Sequence, residues 1–100
     1  MKQPQDCQSM LNIREAIDNI DRDIINKFGK RFEYVKAAAK FKQNTQDIRA
    51  EERFKIMLRQ RRIWAAENNL NPDVIEQLYR DLVNYFITEE LQTWKKNKSK

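Results

Sequence analysis

A run of about 33 residues between Ser9 and Lys42 contains no proline and a single glycine, Gly29. Its apolar residues recur every three or four positions, which predicts one long amphipathic helix instead of strands. At about 1.5 Å per residue, such a helix is roughly 50 Å long. A chain of 100 residues has too small a core to cover a helix of that length. We therefore expect a second copy of the chain to pack against it.

The rest of the chain also favours helices. Apolar residues make up 40% of the sequence and come at helical spacing between charged residues, while one glycine and two prolines leave little turn chemistry for a sheet. The predicted fold is all-α. It comprises a single domain over residues 1–100, with helices at about 9–42, 48–69 and 72–95 and a basic tail at 96–100.

Polar residues mark the ends of these predicted helices. Ser9 or Asn12 is expected to cap the start of the first helix. Asn68 or Asn69 can adopt the left-handed conformation that ends the second. Asn71, directly before Pro72, is the expected cap of the third helix, because proline is favoured at a first helical position.

The charge of the chain narrows the possible functions. A net charge of +5 indicates an anionic partner, which could be nucleic acid, an acidic membrane surface, or a small carboxylate or phosphate. The lone Cys7 cannot form an internal disulfide, and a chain without histidine offers neither a zinc cluster nor a catalytic triad. No apolar run is long enough for a signal peptide or a membrane span. We therefore predict a cytoplasmic protein that needs no metal.

Three cations interrupt the apolar face of the first predicted helix. In steps of three and four, the line along this face is Arg14, Ile17, Asp21, Ile24, Phe28, Arg31, Val35, Ala38 and Lys42. A single cation at such an edge usually extends to water or pairs with a carboxylate. Several cations buried without partners would each cost several kcal/mol. Their alignment therefore favours an anionic ligand that neutralises them.

The spacing of two of these cations adds a geometric constraint. Arg14 and Arg31 are 17 residues apart, which is roughly 25 Å along a helix. One small ligand cannot contact both within a single chain. If both serve one site, Arg14 must come from a second chain. An antiparallel two-fold homodimer meets this condition and creates two equivalent sites.

The second and third helices carry one unusual charge each. Arg53 precedes Met57 by one turn on the same face, although an isolated arginine is more often solvated than bound to a ligand. Glu90 lies on an otherwise apolar line, whose other members are Tyr79, Val83, Phe86 or Ile87, and Trp94. A carboxyl group in that position is either paired to a cation or protonated.

Several segments together resemble a known family. They are "P.DC" at 4–7, "IREAIDNIDRDII" at 13–25, "KRFEYVKAAAKFK" at 30–42, "EER" at 51–53 and "YFITEEL" at 85–91. The chain resembles the small all-helical chorismate mutases over essentially its whole length. Within them it is most similar to the isochorismate-pyruvate lyases, which make salicylate for siderophores. The "P.DC" opening and the "YVKAAAKFK" segment favour this lyase branch.

The resemblance implies an intertwined homodimer of three-helix chains with two shared sites. Arg14 would come from the partner chain, and Arg31 and Arg53 would hold substrate carboxylates. Lys42 would contact a carboxylate and the ether oxygen of the substrate, with Glu90 near the same oxygen. The resemblance further implies an apolar wall formed by Val35, Ala38, Ile48, Met57 and Ile87.

The implied reaction is a pericyclic elimination that converts isochorismate to salicylate and pyruvate without a cofactor, with weak chorismate mutase activity beside it. Glu90 departs from the lyase pattern, which typically has glutamine there, while some mutases of this fold have glutamate. The alternatives are therefore a dedicated chorismate mutase, which forms prephenate, or a mutase-like rearrangement of another chorismate derivative.

Nucleic-acid binding is an alternative from a different functional class. The segment "RQRRIW" at 59–64 and the lysine-rich tail could form its electrostatic footprint. However, there is no helix-turn-helix spacing, and the unusual cations lie on the inward-facing line. We expect the 59–64 segment to form a solvated helix face, and neither nucleic acid nor a membrane to be a partner.

Overall fold

The computed structural model describes residues 3–46 and 50–98. Three α-helices account for most of them: α1 (Met10–Ala38), α2 (Glu51–Glu67) and α3 (Pro72–Lys98). Short 3-10 turns span Pro4–Asp6 and Ala39–Phe41. The residues described include no strand, so the all-α prediction is confirmed for this part of the chain.

Side chains cap α1 in the predicted place. The backbone N–H of Asn12 donates to Ser9 Oγ at 3.1 Å. In return, the Asn12 side chain accepts from the backbone N–H of Gln8 at 3.2 Å. Two N–H groups that have no partner within the helix are thereby satisfied. Helix α1 therefore begins where the serine and asparagine together can close its first turn.

Asn69 and Asn71 determine how α2 ends and how α3 begins. Asn69 has a left-handed backbone with φ of 60°. It lets the N–H of Leu70 donate to the carbonyl of Ala65 at 2.9 Å, which is the long hydrogen bond of a Schellman motif. Asn71 Oδ1 then accepts from the backbone N–H of Asp73 at 2.9 Å and caps α3 directly before Pro72.

Two predicted helix ends differ from the observed ones. The first helix does not continue as α-helix to residue 42. Its end tightens into the 3-10 turn after Ala38, and Lys42 closes that turn with an extended backbone (φ −102°, ψ 132°), as is common at helix termini. The third helix includes residues 96–98, which were predicted as tail. The predicted start of the second helix at Ile48 lies outside the described residues.

By its backbone contacts the chain divides into two compact units, Met1–Tyr34 and Val35–Lys100. Unit 1 contains most of α1, and no residue of α1 is buried. Ile17, Ile20 and Ile24 are 50%, 45% and 44% exposed. This unit therefore presents an apolar face without a core of its own.

Unit 2 has a buried core formed between α2 and α3, which pack against each other. Its buried apolar residues are Met57, Leu58, Ala65 and Phe86. Met57, Leu58 and Ala65 all belong to α2. Leu58 and Ala65 are seven residues apart, about two helical turns, and Met57 is adjacent to Leu58, so the three share one side of the helix. That side is the one covered by α3.

Ion pairs join the two helices of unit 2 near their connection. Arg62 of α2 donates to Asp73 at 2.8 Å and to Glu76 at 3.3 Å on α3. The hydrogen bond with Asp73 is the main cause of a raised pKa of Arg62. Glu76 also accepts from Arg80 at 3.1 Å. These contacts bridge the start of α3 to α2.

Arg61 lies between two aromatic rings. Its guanidinium carbon is 4.6 Å from the ring centroid of Trp64 and 5.6 Å from that of Tyr79, within the range of cation–π attraction. The prediction of a solvated face at 59–64 is therefore wrong for Arg61 and Arg62, both of which are half-buried. Aromatic and acidic side chains of α3 and α2 bind these cations within the chain.

Candidate functional site

The central contact of the candidate site joins Lys42 and Glu90. Lys42 Nζ lies 2.8 Å from Glu90 Oε2, and the two side chains are 21% and 3% exposed. Lys42 follows the 3-10 turn that ends the first helical segment, whereas Glu90 lies in α3. The distance and burial indicate a charge-assisted hydrogen bond.

The pattern of α3 explains why Glu90 is buried. Phe86, one turn earlier, is 4% exposed, and Glu90 is likewise 4% exposed as a whole residue. Because they are four residues apart, Phe86 and Glu90 lie on the same face of α3. Of the paired and protonated alternatives for Glu90, the structure shows the paired one.

Arg53 lies in the first turn of α2 and is exposed. It lines an open cleft of about 410 Å³ together with Gln46, Ala50, Glu51 and Glu52. Ala50 at the start of α2 has a left-handed backbone (φ 42°) and provides no side-chain cap. Arg53 is therefore accessible to an anion. Met57, one turn later, is instead part of the core of unit 2.

Arg14 and Arg31 both lie in unit 1. Arg14 is exposed and Arg31 is half-buried. Because α1 is continuous from Met10 to Ala38, the separation of roughly 25 Å along the helix holds within the chain. The assembly of these two arginines with Lys42, Arg53 and Glu90 into one site stays a prediction.

The predicted apolar wall is distributed over unit 2. Val35, Ala38 and Ile87 are half-buried and Met57 is buried. Ile48 lies outside the described residues. Among residues 3–46 and 50–98, no group of three or more histidine, cysteine, aspartate or glutamate side chains could hold a metal ion. None of the helices in the described part of the chain has the length and apolarity needed to cross a membrane.

The direct pairing of Lys42 with Glu90 is the feature that sequence reasoning did not establish. Both residues were recognisable as charges on apolar lines. The two are 48 positions apart, however, and helical periodicity relates only residues of one helix. The available signal was that two opposite charges each lacked a neutralising neighbour on their own helix.

Comparison with known proteins places these features in a family. The model of the chorismate mutase type II family matches residues 13–91. An isochorismate pyruvate lyase of Pseudomonas aeruginosa is 42% identical over 98 residues, which is 98% of this chain and 97% of that protein. The T-protein of Haemophilus influenzae is 34% identical over 85% of this chain and 23% of its own length. A bifunctional chorismate mutase/prephenate dehydratase of Buchnera aphidicola is 36% identical over 87% of this chain and 22% of its own. The chain thus belongs to the chorismate mutase type II family.

Proposed function

We propose that this protein is an isochorismate-pyruvate lyase. The observation that carries the proposal is the 42% identity to the Pseudomonas aeruginosa lyase over nearly the full length of both chains. In the reaction, a ring hydrogen moves to the methylene carbon of the enolpyruvyl group while the ether C–O bond breaks. The products are salicylate, a precursor for siderophores, and pyruvate.

The chemistry requires positioning and charge stabilisation and no nucleophile. The flexible enolpyruvyl arm has to be held over the ring so that donor and acceptor carbons meet. Negative charge grows on the ether oxygen as the C–O bond breaks. The half-buried ammonium of Lys42 is the group we assign to that oxygen, because a fixed cation with little access to water stabilises developing charge strongly.

We propose an intertwined homodimer in which each site takes residues from both chains. Arg31 and Arg53 would bind the substrate carboxylates, and Arg14 of the partner chain would complete the site. The exposed isoleucine face of unit 1 supports the proposal, because soluble monomers rarely leave a continuous apolar surface of this kind open. The separation of Arg14 and Arg31 on one continuous helix supports it independently.

Each subunit would be a single domain of residues 1–100 that acts in the cytoplasm on this small substrate without a cofactor. The length of 100 residues supports a single domain, and the reaction needs no redox cofactor because it consumes no redox equivalent.

A dedicated chorismate mutase, converting chorismate to prephenate, is the second candidate. Glu90 favours it, because the resemblance to the lyases implies glutamine at this position. The match of the family model to residues 13–91 fits either activity. The same cationic site could bind both substrates, so weak mutase activity is expected even from a lyase.

The two candidates are separated by their products. Purified protein is incubated with isochorismate and with chorismate in separate reactions, and products are identified by chromatography. We expect salicylate and pyruvate from isochorismate at a much higher kcat/KM than that for prephenate from chorismate. Prephenate as the main product, with isochorismate unchanged, would establish the mutase instead.

A further inference from the structure

Glu90 is the one charged residue that is buried within the described part of the chain, residues 3–46 and 50–98. Its carboxylate contacts Lys42 Nζ at 2.8 Å. Among those residues Lys42 is the one hydrogen-bond donor to the Glu90 side chain. The pair thus forms between a nearly inaccessible acid and a cation that is still 21% exposed.

Because of this difference in exposure, the two residues differ in their ability to exchange partners. Lys42 can exchange its carboxylate partner for another anion or for water, because part of its side chain reaches solvent. Glu90 cannot do so. A buried carboxylate that loses its cation carries a desolvation cost of several kcal/mol. Any ligand that takes Lys42 away from Glu90 must therefore offset that cost.

We propose that Glu90 is a resident counter-ion that occupies Lys42 in the substrate-free protein and competes with the substrate for it. This inference rests on the proposed function, in which Lys42 meets a carboxylate and the ether oxygen of the substrate. Glu90 thereby sets the affinity of the site for anions. A glutamine of nearly the same shape would keep the hydrogen-bonding capacity and remove the competing charge.

The pair itself can be tested without any assumption about the reaction. Lys42 and Lys40 are labelled with a neutral amine-reactive reagent, and the two rates are compared by mass spectrometry. Lys40 is exposed and serves as an internal reference on the same segment. We expect slow labelling of Lys42 relative to Lys40 in the wild type, and an increase of several-fold in Glu90→Gln. The matched control Glu89→Gln makes the same chemical change one residue away and should leave the ratio unaltered.

Competition is tested by kinetics on the same three proteins with isochorismate at fixed pH and ionic strength. Removal of the competing carboxylate should strengthen substrate binding by at least the free energy that a hydrogen bond to a charged group contributes. We therefore expect KM to fall by about tenfold in Glu90→Gln. In Glu89→Gln, KM should stay at the wild-type value.

Three results would overturn the inference at different points. Unchanged Lys42 labelling in Glu90→Gln would show that Glu90 does not occupy the ammonium. Faster labelling with an equal or higher KM would show that Glu90 positions Lys42 for the substrate and does not compete with it. Failure of all three proteins to convert either isochorismate or chorismate would refute the proposed function and the competition with it, while the labelling ratio would still report on the pair.

Discussion

Unit 1 and unit 2 differ in how they use their apolar residues. In unit 2, α2 and α3 cover each other and bury Met57, Leu58 and Phe86. In unit 1, the isoleucines of α1 are regularly spaced, yet no residue of that helix is buried. Unit 2 can be understood from contacts within one chain. Helix α1 in unit 1 has the apolar spacing of a buried helix, yet its isoleucines are exposed. We therefore propose that a second chain covers them.

The same contrast applies to the charged residues of the candidate site. Lys42 and Glu90 of unit 2 already pair within the chain. Arg14 and Arg31 of unit 1 lie too far apart along α1 to share one small ligand. The contact between Lys42 and Glu90 is therefore present within one chain, whereas we propose that Arg14 contributes to a site of a second chain.

The largest effect is expected when charge is placed on the isoleucine face of α1. The double variant Ile17→Asp/Ile24→Asp should lose both the dimer and the activity, because two carboxylates buried in an apolar interface cost several kcal/mol each. Analytical ultracentrifugation, circular dichroism and the isochorismate assay give the readouts. Asn19→Asp adds a carboxylate to an exposed position of the same helix and should leave all three unchanged. A double variant that sediments and reacts like the wild type would show that no second chain covers the isoleucine face of unit 1.

Truncation of one isoleucine compares the two units directly. Ile24 is 44% exposed and Leu58 is 3% exposed within one chain. If the dimer covers Ile24, both Ile24→Ala and Leu58→Ala should lower the free energy of unfolding by about 2–5 kcal/mol, the range for core truncations. Urea denaturation at equal protein concentration measures both. A cost below about 1 kcal/mol for Ile24→Ala would mean that the isoleucine face stays exposed.

Removal of the Lys42 ammonium should lower the rate of catalysis, and because Glu90 then loses its cation, it should also lower the free energy of unfolding. Lys42→Ala is expected to lower kcat at least about a hundredfold, the scale for loss of a preorganised charge at a developing oxyanion. Circular dichroism should match the wild type. Lys40→Ala is the control, since Lys40 is exposed two positions earlier. A rise in KM with kcat unchanged would limit Lys42 to substrate binding and would contradict its assigned role at the ether oxygen.

The smallest expected effect concerns the one glycine of α1. A Cβ added at Gly29 has no atom within 4 Å, and glycine costs a helix interior about 1 kcal/mol relative to alanine. Gly29→Ala should therefore raise the free energy of unfolding by about that amount. Thermal and urea denaturation measure the change. A destabilised variant would show that the partner chain approaches the α1 backbone closely at this point.

Local signals in the sequence were sufficient for much of the fold. Ser9, Asn69 and Asn71 act where they were expected, because caps and left-handed ends depend on residues a few positions apart. The end of the first helix was less predictable, since α and 3-10 turns at a terminus differ little in energy. The basic tail was predicted to begin at residue 96, whereas α3 continues to Lys98.

Contacts between helices limited how much of the candidate site could be predicted from the sequence. Arg61 was assigned to solvent, although it stacks against Tyr79 of α3. Glu90 was recognised as anomalous, but its partner could not be chosen among several cations by periodicity alone. Pairings of this kind depend on how helices dock, which is a tertiary property that a single sequence does not specify.

The claim that the site is shared between two chains is tested most directly by complementation. Arg14→Ala and Arg31→Ala chains, each inactive alone, are mixed, unfolded and refolded together, and heterodimers are identified by native mass spectrometry. In a heterodimer, one site loses both arginines while the other retains both. With random pairing, about half of the dimers are heterodimers with one intact site, so about a quarter of the wild-type activity should return. Heterodimers present in that proportion without recovered activity would contradict the shared site.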